Sequence, residues 1–167
     1  MSTGVRVPPA LGGETFREAM SFLAAPLTIV TTRDQEGRPW GFTASSVTSV
    51  SLEPPLVLVG ISHTSSCFPV FSEASEFVIN VLGRDNRELA RRFAARGMDR
   101  FVGVRFDDWP NSDIPYLVDV AVVFRCTVAE RISAGDHDLL IGELTGIRRQ
   151  DSTEPLLWYR RDFRPSD

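Results

Sequence analysis

Small hydroxylated residues crowd two short segments of this chain: Thr43, Ser45 and Ser46 after Gly41, and Ser62, Thr64, Ser65 and Ser66 after Gly60. The segments border two β-type runs, Phe42 to Leu52 and Leu56 to Ile61, which flank a Glu53-Pro54-Pro55 corner. Small side chains, Ala44 among them, let a ligand lie close to the backbone. Hydroxyls and free amides at strand ends can hold a phosphate or the polar edge of a ring. The competing reading is a Ser/Thr-rich edge hairpin with solvated hydroxyls. His137 follows Gly135-Asp136 in a turn before a strand, where a lone histidine is usually solvated or satisfied by the backbone.

Other chemistries are poorly represented. There is no convincing catalytic triad, metal cluster or carboxylate pair. Cys67 and Cys126 lack the paired spacing of a zinc site and read as buried thiols. All 18 basic residues are arginine, which excludes Schiff-base lysine chemistry and a P-loop lysine. The net charge of −4 and pI near 5.2 argue against nucleic acid or an anionic membrane as partner, because neutralising phosphates needs a basic face. No apolar run is long enough for a membrane span and no signal segment opens the chain, so a cytoplasmic protein is expected.

At 167 residues and 43% hydrophobic, the chain suits one domain with a real core. Residues 1–14 read as a loose arm, and 15–164 as the domain. Thr15-Phe16-Arg17-Glu18 is a capping box, and Phe16, Met20 and Leu23 follow at helical spacing, giving an amphipathic helix that stops before Pro26. Leu27 to Thr32 reads as a strand, and Pro69 to Ala74 as a short helical connection. Phe77 to Leu82 is nearly all apolar, which predicts a central strand buried on both faces. Asn80 inside it must find partners, and a structural hydrogen bond is favoured over a ligand contact.

Asp85 caps a second helix with Leu89, Ala90 and Phe93 inward and Arg91, Arg92 and Arg96 mainly outward. Residues 107–115 form a turn-rich loop. Period-two patterning marks Leu117 to Ile132 as a strand, followed by His137 to Ile147, Pro155 to Arg160 and a charged tail. About seven strands and two helices without regular alternation argue against a doubly wound sheet. No G-x-G-x-x-G joins a strand to a helix. The fold class is therefore mainly β, an antiparallel β-barrel with a few peripheral α-helices.

Five segments in this order resemble the flavin reductase-like family, whose fold is the FMN-binding split barrel, a Greek-key split β-barrel. They are Pro26 to Thr31; Gly41-Phe42-Thr43-Ala44-Ser45-Ser46 running into Val50 to Val57; Phe77 to Leu82; Gly135-Asp136-His137-Asp138 before Ile141-Gly142-Glu143; and Pro155 to Arg160. The resemblance implies an NAD(P)H:flavin oxidoreductase that supplies free reduced flavin to a partner flavin-dependent monooxygenase. It places Thr43, Ala44, Ser45 and Ser46 along the isoalloxazine and Ser62, Thr64, Ser65 and Ser66 at the flavin phosphate. Arg100 before Phe101 becomes the candidate ionic contact, against a solvated loop charge.

His137 is similar to the family's residue beside the nicotinamide, where it would position that ring or move a proton. Tyr159 and Arg160 resemble a pair bordering the same pocket, although Trp158 and Tyr159 also suit core or interface roles. His63 reads as a surface histidine. The resemblance further implies FAD (or FMN) with NADH (or NADPH) as cofactors, and a homodimer binding flavin at its interface. The all-arginine composition suggests a GC-rich coding genome and an antibiotic-type biosynthetic setting. Two alternatives stand: a non-catalytic flavin- or haem-binding split-barrel dimer, and a pyridoxamine-phosphate-oxidase-like oxidase, against which the absence of lysine counts.

Overall fold

The computed structural model describes residues 10–150 and 154–164. In chain order the elements are α1 (Gly13–Met20), β1 (Ala25–Pro26), β2 (Thr28–Arg33), β3 (Pro39–Ala44), β4 (Val47–Ser51), β5 (Leu56–Ser62), α2 (Phe68–Glu73) and β6 (Glu76–Val81). They continue with α3 (Arg87–Ala94), β7 (Phe106–Asp108), β8 (Pro115–Leu117), β9 (Val122–Ala134), β10 (His137–Arg149), β11 (Leu157–Tyr159) and β12 (Asp162–Arg164).

Seven of these strands form one antiparallel sheet in the order β3-β2-β6-β9-β10-β5-β4. Its two edges, β3 and β4, are consecutive in the chain and joined only by Ser45 and Ser46. The sheet therefore has to curl until its edges approach each other at this link, whose Ser46 carbonyl accepts Gly60 N–H of β5 (3.3 Å) in continuation of the β4–β5 ladder. This is the split β-barrel expected, with helices at its periphery.

Two apolar cores lie on opposite faces of the wall. One contains Val30, Phe42, Val59, Phe71, Phe77, Ile79 and Leu140. The other packs Ile29, Val78, Leu82 and Val123 beneath Phe93 of α3, Phe101, Tyr116 and Leu156. Strand β6 feeds both, with Phe77 and Ile79 on one side and Val78 on the other, as its continuous apolar sequence predicts.

Asn80, on the Val78 side of the strand, is fully buried and fully engaged. Its Nδ2 donates to Ile29 O (2.8 Å) and Thr31 Oγ1 (3.1 Å), and its Oδ1 accepts Leu117 N–H (2.8 Å). The structural role expected of Asn80 holds, because a buried amide left without partners would cost about 1–3 kcal/mol.

Several local expectations are corrected. The run Phe42 to Leu52 is two strands on opposite sheet edges, and only β4 forms a hairpin with β5. Helix α1 starts with Gly12 at its cap position, so Thr15 lies inside it. Phe16 and Leu23 are half exposed or more, rather than on a buried face. The expected arm falls mostly on residues 1–9, outside the described residues, while Gly13 and Glu14 are already helical.

Asp85 lies in a 3-10 turn (Arg84–Asn86), and α3 begins only at Arg87. There the Asn86 side chain accepts Gly83 N–H (2.7 Å) and donates to Asp119 O (2.8 Å), which moves the helix start downstream. The loop over 107–115 is bracketed by the small β7–β8 ladder. Part of the tail, Asp162 to Arg164, is strand β12 on β11.

Candidate active site

Gly41 opens the site. A Cβ at this position would lie 2.9 Å from Phe93 Cε1 and 3.1 Å from Thr31 Cγ2, so only glycine lets α3 close on β3. The Gly41 carbonyl then accepts from two side chains, Arg100 Nη1 (2.7 Å) and Cys67 Sγ (3.3 Å).

Arg100 is a hub. Its Nε and Nη2 donate to Ala95 O (2.9 and 2.6 Å), Nη1 also reaches Cys67 Sγ (3.1 Å), and Nη2 reaches Ser66 Oγ (3.3 Å). Among the described residues no carboxylate pairs with it. A half-buried guanidinium satisfied only by neutral acceptors keeps its positive charge available to an anion. A cleft of about 290 Å³ opens beside it, lined by Arg38, Trp40, Gly41, Ser66, Asp99 and Phe101 among others.

The loop from Ser62 to Ser66 leads into this cleft. Ser62 Oγ and Thr64 Oγ1 are 3.0 Å apart, and Ser65 Oγ accepts Cys67 N–H (3.2 Å). Burial pushes the Cys67 thiol above its ordinary pKa, although neighbouring Arg100 opposes the shift. The thiol stays protonated and can donate to Gly41 O.

Close to the same end of β5, Ser46 Oγ donates to Gly60 O (3.3 Å) and accepts Gly60 N–H (3.2 Å). A Cβ on Gly60 would lie 3.0 Å from that hydroxyl and 3.9 Å from His137 Cδ2. Ser46, Gly60 and His137 are therefore neighbours. His137 Nδ1 is 2.7 Å from Asp136 Oδ1, and this bond holds the Asp136 carboxyl below the usual carboxylate range. His137 remains 45% exposed on its side chain, so its ring is free to meet a ligand. His63 is less free than a surface residue: its Nε2 is 2.8 Å from Asp138 Oδ1 and its N–H donates to Asp136 O (2.9 Å). It ties the His137 turn to the hydroxyl-rich loop.

A family model described as "Flavin reductase like domain" matches residues 20–167. The chain belongs to that family. Among curated relatives, it is 52% identical over 156 residues to the NADH:riboflavin 5'-phosphate oxidoreductase of Streptomyces pristinaespiralis, covering 93% of this chain and 89% of that protein. Among solved structures, the Streptomyces globisporus C-1027 NADH:FAD oxidoreductase SgcE6, in complex with NAD and FAD fragments, superposes with a TM-score of 0.85 at 28% identity over 90% of each chain. BorF, the flavin reductase component of a bacterial two-component tryptophan halogenase, gives 0.85 at 28% identity, covering 92% of this chain and 98% of BorF.

As a flavin reductase-like domain, the chain divides its expected site residues into groups. Ser66, Arg100 and Phe101 line the first cleft, although Phe101 is largely buried in the core; Ser62, Thr64 and Ser65 lie on the loop leading to it and are not part of its wall. Ser46 and His137 both lie against Gly60. Thr43 and Ser45 line a separate cleft of about 520 Å³ with Ala94, Trp158 and Phe163. Ala44 is buried, and Thr43 Oγ1 donates to Ala90 O (2.6 Å), so its proton is already used.

Tyr159 and Arg160 are not brought to Arg100 or His137. Tyr159 packs edge-on against Phe22, and the Arg160 guanidinium lies 4.7 Å from the centre of the same ring. Gly41, Gly60 and Trp158 are site-lining positions that residue-type reasoning passed over. Glycines inside apolar strands signal close approach of another group and were the available clue to two of them.

Proposed function

We propose that this flavin reductase-like protein transfers hydride from NADH to FAD or FMN and releases the reduced flavin to a partner flavin-dependent monooxygenase. The carrying observation is an arginine with no carboxylate partner among the described residues, Arg100 beside Ser66, together with an exposed histidine beside small backbone-lined positions, His137 with Ser46 and Gly60, the two linked by the pairing of His137 with Ser62. The flavin and the nicotinamide carry the redox chemistry, and the product pair is NAD⁺ and reduced flavin. The chain has to hold, orient and shield, which the residues present can do.

Ser62 to Ser66 and Arg100 hold the phosphate. Ser46 and the neighbouring amides address the ring edge. His137 orients the nicotinamide. BorF, as a reductase component, supports a two-component arrangement. We assign the protein to the cytoplasm; no helix among the described residues is long and apolar enough to cross a membrane. We also assign it as a homodimer, in which a second copy covers apolar side chains such as Leu52, 91% exposed on the β4–β5 corner.

The test is NADH oxidation, followed in the nicotinamide absorbance band, with FAD, FMN or no added flavin. Turnover that depends on added flavin is expected. Its absence with either flavin and either nicotinamide overturns the reductase reading in favour of a flavin- or haem-binding dimer. Light scattering on the eluting peak checks the dimer.

A further inference from the structure

Arg92 lies on α3, where helical spacing turns it mainly outward, yet its side chain folds back over the turn that follows the helix. Its Nε donates to Arg100 O (2.8 Å), and its Nη2 lies 3.4 Å from Asp99 O and also donates to Val102 O. These three carbonyls flank the Arg100 Cα on both sides. Arg100 returns the reach, donating from its side chain to Ala95 O at the end of the same helix. Two arginines thus clasp helix end and turn in opposite directions. Like Arg100, Arg92 has no carboxylate partner among the described residues.

Within the turn, Asp99 Oδ1 accepts Phe101 N–H (2.9 Å) and Phe101 O accepts Val104 N–H (3.0 Å), bonds that shape it locally without tying it to the rest of the fold. Phe101 is buried between Phe93 and Phe106, with ring centroids 5.0 and 5.2 Å away. A single buried ring fixes where the turn lies but leaves its rotation about that ring open. The Arg100 guanidinium needs that rotation defined, because it must meet Gly41, Ala95, Cys67 and Ser66 together. We propose that Arg92 is a positioning residue of the flavin-phosphate site, setting the turn over 99–102 so that Arg100 faces Ser66. It touches no ligand and acts through the main chain of Arg100. The inference rests on the proposed role of Arg100 at the phosphate.

The test compares FMN with riboflavin, which presents the same ring without a phosphate, as substrates of the full chain. Four proteins are needed: wild type, Arg100→Gln, Arg92→Gln and Arg92→Lys. Arg92→Gln should lower the kcat/KM preference for FMN over riboflavin about tenfold while riboflavin kcat/KM stays within about twofold, the size expected for loss of a charge-assisted hydrogen bond. Arg92→Lys, which keeps the charge but not the planar fork, should fall between. A purely structural role would lower both flavins together, or lower Tm with the preference unchanged, and either result overturns the proposal. If Arg92→Gln does not fold, the preference of Arg92→Lys decides; failure of both to fold assigns Arg92 to structure alone and also overturns it. An unchanged preference in Arg100→Gln removes the phosphate reading itself. Loss in Arg100→Gln without loss in either Arg92 variant removes only the positioning role.

Discussion

The two ends of the candidate site are built on opposite plans. At the Ser66 end, Arg100 makes five contacts to four residues drawn from β3, the Ser66-Cys67 turn and the end of α3. At the Ser46 end, the His137 side chain has one bonded partner, Asp136, itself 92% exposed. A fixed anchor at one end and an open face at the other suit a flavin held by its phosphate while a second ring comes and goes over its reactive face. Preorganisation lowers the ordering cost of binding at the anchor, whereas a surface that two ligands share in turn cannot be filled in advance.

The largest break should come at the open end. Ser46→Trp places an indole over Gly60 and towards His137, in the space assigned to the flavin ring. Flavin-dependent NADH oxidation should fall about a hundredfold or more, equivalent to about 2.7 kcal/mol, while far-UV circular dichroism stays native. Retained activity in a folded variant would move the ring away from Ser46, towards the cleft beside Trp158.

Next in size is a substitution at the braced end. Gly41→Ala forces a methyl against Phe93 and Thr31, with contacts of 2.9 and 3.1 Å before relaxation. Overpacking of this kind costs about 1–3 kcal/mol, read as a lower urea midpoint. The same change should weaken FMN more than riboflavin, because moving the Gly41 carbonyl disturbs Arg100. A variant of unchanged stability would mean that the β3–α3 contact is looser than the geometry implies.

His137→Ala sharpens the contrast from the other side. Its expected effect is about tenfold or less, on the KM for NADH or the rate of hydride transfer, with flavin KM within about twofold. A fall in flavin affinity alone would place His137 with the anchor.

How legible this asymmetry was in the sequence depended on the kind of interaction. Local signals carried well: continuous apolar residues marked β6, and hydroxyl-rich strand ends marked the Ser62 to Ser66 loop. Contacts between distant segments were not legible. Nothing at Arg92 announces that it bonds the carbonyls of Asp99, Arg100 and Val102 further along the chain, and Phe42 to Leu52 reads as one strand until the sheet curls and splits it between two edges. Phe16 and Met20 of α1 and Leu23 just beyond it have helical spacing, yet spacing does not say whether the same chain supplies a cover. Family resemblance named Arg100, but its five protein contacts, and hence the rigidity of that end, came only from tertiary packing.

The smallest effect concerns the two thiols, and it tests whether the braced end is closed. Burial pushes the Cys126 thiol up to about 12, and Cys67 is also raised, by burial first and despite Arg100 at 3.1 Å. A raised thiol pKa means less thiolate at any given pH, and thiolate is the species that alkylates. An exposed thiol titrates near about pH 8.5, so iodoacetamide at that pH would modify it readily. Neither cysteine should react in the folded protein, whereas both should react in urea, as read by intact mass. The two sites should also respond differently to Arg100→Gln. Removing the guanidinium takes away the one charge favouring Cys67 thiolate and leaves Cys126 untouched, so Cys67 should become no more reactive through its ionisation. If Cys67 nevertheless reacts rapidly in the native wild type and FMN protects it, the end containing Ser66 and Arg100 opens to solvent before flavin binds. The contrast between a rigid anchor and an open ring face would then be a property of the complex rather than of the free protein.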